Sequence, residues 1–432
     1  MTLRTRTPVE RTTLPNGLTV VAAPDPSSPL VGVAVVYDVG FRSEPEGRTG
    51  FAHLFEHMMF QGSAHVAKVE HTRLVESAGG VFNGHTVPDL TAYYEALPRA
   101  GLDLALWLEA DRMGSLAVTE ENLRNQIAVV EEEIKVNVLN QPYGGFPWIV
   151  LPELAFDSFP NSHNGYGDFA DLERATVADA AEFYTTYYAP SNAVLVVAGD
   201  CDADETVRLA ERHFGGIARR PAPAHGPWPE PPLSESRRRV VTDPRAPQPA
   251  FAVGYRTPDP VADLEGWLAY AVVASVLADG EASRLRERLV HRERLVTDVS
   301  CSLGVFGDDG LFMRDPVLFQ VVVHHPGQVA SSRLHQVVTE EIERLGDAGP
   351  TPDELERVAT SYAASYWHGV DSVMSRAISL ACLQVVHGRA ELMGELPARL
   401  AAVPAEAVRA AAADLALQHT ARVEIRPGGG RR

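Results

Sequence analysis

Apolar and polar positions form blocks along the chain, and the blocks have the lengths of strands and helices. The runs 192–199 (NAVLVVAG) and 317–324 (VLFQVVVH) are short, apolar and rich in β-branched residues, which predicts buried strands. Longer segments with helical spacing occur at 177–187 and over most of 352–386. Strands interleaved with hairpins and helices in this way favour the α+β class, with sheets covered by helices.

A segment rich in proline and alanine divides this pattern into two similar halves. Residues 219–236 read RRPAPAHGPWPEPPLSES, and proline favours extended backbone, so we expect a semi-rigid linker. The apolar run 31–42 resembles the run 249–259, and each is followed by a buried helix. The repeat predicts two homologous domains, 1–218 and 237–432, of which only the first carries candidate metal ligands.

The strongest chemical signal is the string His53-Leu54-Phe55-Glu56-His57. On a helix, His53 and His57 share a face, and Glu56 lies beside them, which is the inverted-zincin order of residues. Such a string also occurs by chance. Here, however, residues 51–60 are apolar nearly all round, which predicts a buried helix, and buried His and Glu are costly without a metal or partner. We therefore expect a zinc site on this helix, with Glu56 next to the metal-bound water.

A catalytic zinc usually has three protein ligands, so a third is needed. The candidates are Glu131, Glu132 and Glu133, in a helical stretch over 119–140. Periodicity allows only one of the three to face the same way as the apolar residues, and it leaves Glu132 and Glu133 open. The alternative is that all three belong to a solvated acidic face.

These segments resemble the pitrilysin/insulinase family of zinc peptidases, which includes the mitochondrial processing peptidases. Glu133 lies 76 positions after His57, the spacing of the processing-peptidase branch. The segment 123–145 also resembles a bacterial subgroup, and its alignment places the third ligand at Glu133. The resemblance implies one zinc per chain, held by His53, His57 and Glu133, with Glu56 as the catalytic base.

The same alignment assigns a supporting position. Other branches carry a glutamate seven residues before the third ligand, where it tunes the ligand and its metal. In this chain the position is Gln126, as in the bacterial subgroup. We expect metal affinity to differ accordingly from the wider family.

Residues 77–94 resemble a further family signature, with a Gly-Gly turn, a strand and a returning strand. In relatives the first of these strands is a sheet edge, on which the substrate backbone lies as an added strand. The resemblance implies that Asn83, Gly84 and Thr86 contact the substrate. The alternative is an ordinary hairpin without a binding role.

The resemblance covers essentially the whole chain and implies its architecture. It implies two homologous α+β domains, each a largely antiparallel sheet with helices packed on one face, forming half of a clamshell. Active members carry an Arg and a Tyr on the opposite wall, where they stabilise charge on the substrate carbonyl. Here the matching positions are Val290 and Thr297, and neither side chain serves that purpose.

We therefore expect a zinc-dependent endopeptidase subunit that hydrolyses peptides or unfolded leader or presequence segments. It would work as a heterodimer with a homologous subunit that carries the Arg/Tyr pair and lacks zinc; a homodimer is less expected. The alternative is a non-catalytic scaffold subunit of a related complex.

Composition limits the classes of binding partner and the cellular compartment that we expect. The net charge of -19 argues against nucleic-acid and anionic-membrane partners. Three scattered cysteines suit a reducing compartment, and we expect no secretory signal and no membrane span. The expectation is a cytoplasmic protein that acts on peptides.

Overall fold

The computed structural model describes residues 9–428, which form two compact units. The first unit contains the chain up to Glu132, together with Gly165–His225 and Tyr366–Glu395. The second contains Glu133–Asn164, Gly226–Ser365 and the chain from Leu396 onward. Each unit is built on its own six-stranded sheet.

The first sheet has the strand order β1-β2-β6-β3-β5-β4. Strands β2 and β6 are parallel, and the other neighbours are antiparallel. β6 is buried at every position and β3 at all but its first, as expected for strands covered on both faces. The bounds are β1 Glu10–Thr13, β2 Thr19–Pro24, β3 Leu30–Tyr37, β4 Val81–Thr86, β5 Thr91–Pro98 and β6 Ala193–Gly199.

The second sheet has the order β10-β9-β11-β8-β12-β7, with β7 and β12 parallel. Its strands β7, β12, β8, β11 and β9 repeat the connectivity and directions of β2, β6, β3, β5 and β4. The apolar runs that predict the repeat correspond to β3 and β8. The expected pair of homologous α+β domains is therefore confirmed. The bounds are β7 Arg237–Asp243, β8 Ala250–Arg256, β9 Asp298–Val305, β10 Asp308–Asp309, β11 Leu318–His324 and β12 Ala421–Pro427.

Sixteen α-helices lie within the described residues. Those before the linker are α1 Phe51–Met58, α2 Glu70–Ser77, α3 Leu102–Ser115, α4 Glu120–Ile134, α5 Val150–Ala155, α6 Phe159–Ser162, α7 Phe169–Arg174, α8 Val177–Tyr187 and α9 Ala203–Phe214. Those after it are α10 Leu264–Ala278, α11 Arg284–Arg286, α12 Ser331–Ala348, α13 Pro352–Gly369, α14 Val373–His387, α15 Leu392–Ala401 and α16 Ala405–Leu417.

Among residues 9–428, no single helix is both long and apolar enough to cross a membrane. The consecutive helices α13 and α14 reach that length and composition only as a pair, with a sharp bend between them.

Two helices from distant parts of the chain cover the central strands. A Cβ built on Gly32 of β3 would lie 2.3 Å from the carbonyl oxygen of Val373 in α14. A Cβ built on Gly254 of β8 would lie 3.1 Å from Leu151 in α5. Because α14 packs on the first sheet and α5 on the second, the compact units are discontinuous, whereas the sequence predicts contiguous domains at 1–218 and 237–432.

The linker predicted at 219–236 contains neither helix nor strand. Its side chains are nevertheless anchored. The Glu230 carboxylate accepts hydrogen bonds from the Ser158 hydroxyl at 2.6 Å and from the Asn161 amide at 3.0 Å, within the second unit. The part of the segment around Glu230 is thus fixed to the second unit by hydrogen bonds.

Candidate metal centre

The helix that carries the His53–His57 string, α1, is held at its N-terminus by a carboxylate from the segment just before it. Glu44 accepts hydrogen bonds from the backbone N–H of Gly50 at 2.8 Å and of Ala52 at 2.7 Å. Gly50 itself adopts a left-handed conformation, with φ of 85°. A negative charge that satisfies the first free N–H groups of a helix stabilises both its hydrogen bonding and its dipole.

Burial fixes the rotation of α1 about its axis. The apolar side chains of α1 are buried in the first unit, and the polar side chains lie on the other side of the helix. The buried apolar residues include Phe51, Leu54, Phe55 and Met58. The Tyr93 hydroxyl of β5 donates to the Phe55 carbonyl at 3.2 Å, which ties the helix to the sheet. The predicted buried helix is therefore present, and it presents His53, Glu56 and His57 along one side.

The two histidines point their Nε2 atoms at each other. These atoms lie 3.3 Å apart, and the ring planes are nearly perpendicular. Positions i and i+4 share a helix face, so the convergence follows directly from the spacing. Two imidazole nitrogens so placed can serve as neighbouring ligands of one ion.

Glu133 completes the group. One ligand atom each from His53, His57 and Glu133 lies within 4.8 Å of the others. Glu133 is the penultimate residue of α4, which is continuous with the first unit up to Glu132 and buries Val130 within it. Glu132 is exposed instead, so the structure brings Glu133 to the histidines. Two imidazoles and one carboxylate match the ligand set of a catalytic zinc, and the residues fit that metal.

The backbone changes character directly after this ligand. α4 continues as a π-helical turn, Lys135–Leu139. Such wider turns often occur at functional sites, because they shift the direction of neighbouring side chains. The predicted helical stretch over 119–140 is thus present, with its last turn in a different form.

Glu56 is held by the edge strand β4. The Thr86 hydroxyl donates to the Glu56 carboxylate at 2.7 Å. Gly84 lies on the same face, and a Cβ there would be 3.3 Å from the Glu56 Cγ. Because side chains alternate along a strand, Asn83 points to the opposite face; its Oδ1 accepts from the Gly84 N–H at 2.9 Å.

β4 is the last strand in the order of its sheet, so it is the edge that the sequence predicts. The substrate-contact roles of Asn83, Gly84 and Thr86 stay predictions. The Thr86–Glu56 hydrogen bond adds a second role that sequence alone does not indicate.

Gln126 is buried on α4, seven residues before Glu133. Its side-chain amide donates to the Asn125 Oδ1 at 2.9 Å, and that oxygen also accepts from Lys68 at 3.2 Å. The predicted influence of Gln126 on the ligand stays a prediction.

Tyr166 also reaches the site, and the sequence analysis does not identify it. Its ring meets that of His53 edge to face, with centroids 5.2 Å apart. The signal that could have indicated it is the pair of glycines on either side, Gly165 and Gly167.

A second group of possible ligands, His71, Glu95 and Glu109, lies in the core of the first unit. Burial and then Glu109 raise the pKa of Glu95 to about 8, and burial and then Arg112 lower the pKa of His71 to about 2. Arg112 pairs with Glu109, and both side chains are buried. With Arg112 as the cation, Glu109 as the anion, and Glu95 and His71 neutral, the cluster is balanced without a metal.

The cluster supports the chain beyond α1. The Arg112 guanidinium lies over the rings of Phe60, at 4.9 Å, and Tyr93, at 4.5 Å. His71 meets the Phe60 ring edge to face, with centroids 5.7 Å apart. His71 is thus a buried structural residue.

The two positions that the family resemblance matches to the Arg/Tyr pair are in the second unit. Val290 is half-buried within a helical turn, Glu287–Arg292, and Thr297 is exposed just before β9. A valine has no hydrogen-bond donor, so this arrangement does not reproduce the pair.

Two family profiles match the chain. One is described as Insulinase (Peptidase family M16) and matches residues 19–143, which include the whole candidate metal centre. The other is described as Peptidase M16 inactive domain and matches residues 174–362. The order agrees with metal ligands in the first half only.

Individual relatives extend over most of the chain. Zinc protease PqqE of Helicobacter pylori is 28% identical over 84% of this chain and 80% of its own length. A protein of Mycobacterium tuberculosis, named uncharacterized zinc protease Rv2782c, is 27% identical over 98% of this chain and 94% of its own.

A solved structure shows the same fold. The crystal structure of a protease from Helicobacter pylori superposes with a TM-score of 0.89 at 24% identity, covering 98% of this chain and 100% of that one. The two profiles, the relatives and the fold agree on the family. The chain belongs to the pitrilysin/insulinase family of peptidases, peptidase family M16.

Proposed function

We propose that this chain is the zinc-bearing subunit of an endopeptidase that hydrolyses peptides or unfolded leader or presequence segments. The observation that carries the proposal is the convergence of His53, His57 and Glu133 beside Glu56. The relatives named as zinc proteases support it.

His53, His57 and Glu133 would hold one zinc ion per chain. When bound, zinc lowers the pKa of a coordinated water and polarises the scissile carbonyl. The chain supplies two imidazoles for this purpose on a capped helix, so the ligands are positioned before the metal binds.

Glu56 would act as the general base and then as the general acid. It takes a proton from the attacking water and delivers it to the leaving amine. The Thr86 hydroxyl donates to Glu56 Oε2 and so restricts the orientation of the carboxylate. Thr86 therefore acts through Glu56 as a positioning residue.

The substrate would lie extended along β4. An edge strand offers unpaired N–H and C=O groups to an added strand, which selects unfolded segments over folded ones. The absence of a side chain at Gly84 keeps space between that strand and Glu56. Asn83, Gly84 and Thr86 would be the contacting residues.

The partner would be a homologous subunit without zinc. Val290 and Thr297 do not supply the Arg/Tyr pair, so in this proposal another chain stabilises the carbonyl oxygen. Loss of such donors costs roughly 10²–10³-fold in rate, so the isolated chain should be a weak enzyme.

The test is hydrolysis of quenched fluorescent peptides by wild type and Glu56→Gln, each alone and each mixed with a homologue that carries the Arg/Tyr pair. We expect activity in the wild-type mixture to exceed that of the isolated chain by about 10²-fold or more, and Glu56→Gln to lose about 10²–10⁴-fold. Equal activity of wild type and Glu56→Gln would contradict the proposal of a peptidase and favour a scaffold subunit. Full activity of the pure wild-type chain would reject the need for a partner.

A further inference from the structure

We propose that Tyr166 is a positioning residue for His53, and that it holds the imidazole in the orientation that binds metal. The inference rests on the proposed function of the site as a zinc centre. It extends that function to a loop that lies more than a hundred residues from α1 in sequence.

Tyr166 lies between two glycines, Gly165 and Gly167, and neither position has room for a side chain. A Cβ at Gly165 would lie 2.5 Å from the Phe41 ring. A Cβ at Gly167 would lie 2.5 Å from the Gly50 Cα, and Gly167 has a φ of +75°. The backbone on both sides of Tyr166 is therefore in direct contact with the segment that leads into α1, and only glycine permits that approach.

Hydrogen bonds of Thr49 with Asp168 and Asp171, here called the latch, hold this loop against the N-terminus of α1. The Thr49 hydroxyl accepts from the Asp168 N–H at 2.8 Å and donates to the Asp171 carboxylate at 2.8 Å. Asp168 also caps α7 by accepting from the Ala170 N–H at 2.7 Å. Thr49 and Asp171 are both buried, so the latch is shielded from competing water.

The ring then meets its target at a defined angle. The Tyr166 and His53 rings are 85° apart with centroids separated by 5.2 Å, which is the edge-to-face arrangement of favourable aromatic pairs. On its other side, the His53 Nε2 faces the His57 Nε2 at 3.3 Å. Rotation of the imidazole about its Cβ–Cγ bond is thus restricted by Tyr166, and its Nε2 stays directed at the other ligands.

This role predicts a specific effect on metal affinity. Groups that orient a ligand typically contribute 10–100-fold to metal binding. Because the ring makes the contact, Tyr166→Ala should weaken zinc binding about tenfold or more, whereas Tyr166→Phe keeps the ring and should weaken it less. Phe159→Ala is a matched control: it removes a ring stacked on another histidine, His163, at a centroid distance of 4.3 Å.

The experiment measures the zinc dissociation constant of all four proteins by competition with a chromophoric chelator. It is accompanied by circular dichroism and by crystal structures of the metal-free wild type and Tyr166→Ala. We expect the largest loss of affinity in Tyr166→Ala and none in Phe159→Ala. In Tyr166→Ala His53 should occupy more than one rotamer, with the secondary structure unchanged.

Equal zinc affinity of Tyr166→Ala and wild type, or a single His53 rotamer in both crystal structures, would overturn the positioning role. A loss of affinity in Tyr166→Phe as large as that in Tyr166→Ala would also contradict it, because Tyr166→Phe keeps the ring. Failure of wild type to bind zinc would instead refute the proposed function, and the inference with it. The rotamer comparison separates these cases, since it needs no metal.

Discussion

Replacing Glu44 by alanine should destabilise the first unit strongly, although Glu44 is not part of the metal centre. The carboxylate is 3% exposed and accepts two backbone hydrogen bonds, from Gly50 and Ala52. α1 has only eight residues, so it depends on its cap and its packing rather than on its own helix propensity.

The magnitude follows from the two hydrogen bonds. A hydrogen bond to a charged group contributes about 1.5–3 kcal/mol, so the two bonds that cap α1 amount to about 3–6 kcal/mol. Removing Glu44 also relieves the cost of burying its charge, which offsets part of this sum. We therefore expect Glu44→Ala to lose about 3 kcal/mol, or about 6–12 °C in Tm for a unit of this size. Glu44→Gln keeps one acceptor oxygen, so its stability should lie between those of wild type and Glu44→Ala.

Calorimetry of the metal-free proteins measures this effect. The matched control is Asp202→Ala, since Asp202 caps α9 through one exposed bond to the Glu205 N–H at 2.9 Å. It should cost about 1 kcal/mol. A loss for Glu44→Ala no larger than for Asp202→Ala would refute the reasoning that the buried carboxylate holds α1.

Two further predictions concern groups near α1. The pKa of Glu95 is raised from 4.5 to about 8, so the folded state keeps a proton that the unfolded chain has lost, and stability should fall as pH rises from about 4.5 to about 8. Glu95→Gln should remove this fall, on the order of a few kcal/mol, in unfolding titrations at several pH values; an unchanged pH profile would contradict the buried proton. Gly84→Ala places a Cβ 3.3 Å from the Glu56 Cγ and should lower kcat/KM about tenfold. Gly216→Ala, where nothing lies within 4 Å, should not change it, and equal rates for the two variants would exclude crowding of Glu56.

The parts of the fold that sequence predicts are those set by local pattern. The strand 192–199 corresponds to β6 Ala193–Gly199, and the helix 177–187 to α8 Val177–Tyr187. The helical stretch 119–140 corresponds to α4 and its π-helical turn. Each has an apolar period that its own length determines, so no distant contact is needed to recognise it.

The exchange of helices between the halves is not visible in this way. The apolar residues of α5 and α14 indicate burial but do not say which sheet they cover. Contacts such as Gly32 with Val373 join positions that are far apart in sequence. Periodicity carries no information on partners, so contiguous domains are the natural prediction.

The residues of the candidate site likewise fall into those that a local sequence pattern predicts and those that it does not. His53, Glu56 and His57 follow from spacing on one helix. Glu133 required the family resemblance, because periodicity alone leaves Glu132 open. Glu44 and Tyr166 were missed, since each acts on α1 from a loop, where one glutamate or tyrosine has no distinguishing pattern.

The most direct test of the central claim is the zinc content of purified wild type, Glu133→Gln and Glu132→Gln after dialysis against buffered zinc. We expect about one zinc per chain in wild type and in Glu132→Gln, since Glu132 is exposed and outside the ligand group. We expect a loss of affinity of at least tenfold in Glu133→Gln. Wild-type protein without zinc, or Glu133→Gln with undiminished affinity, would contradict the assignment of the metal centre.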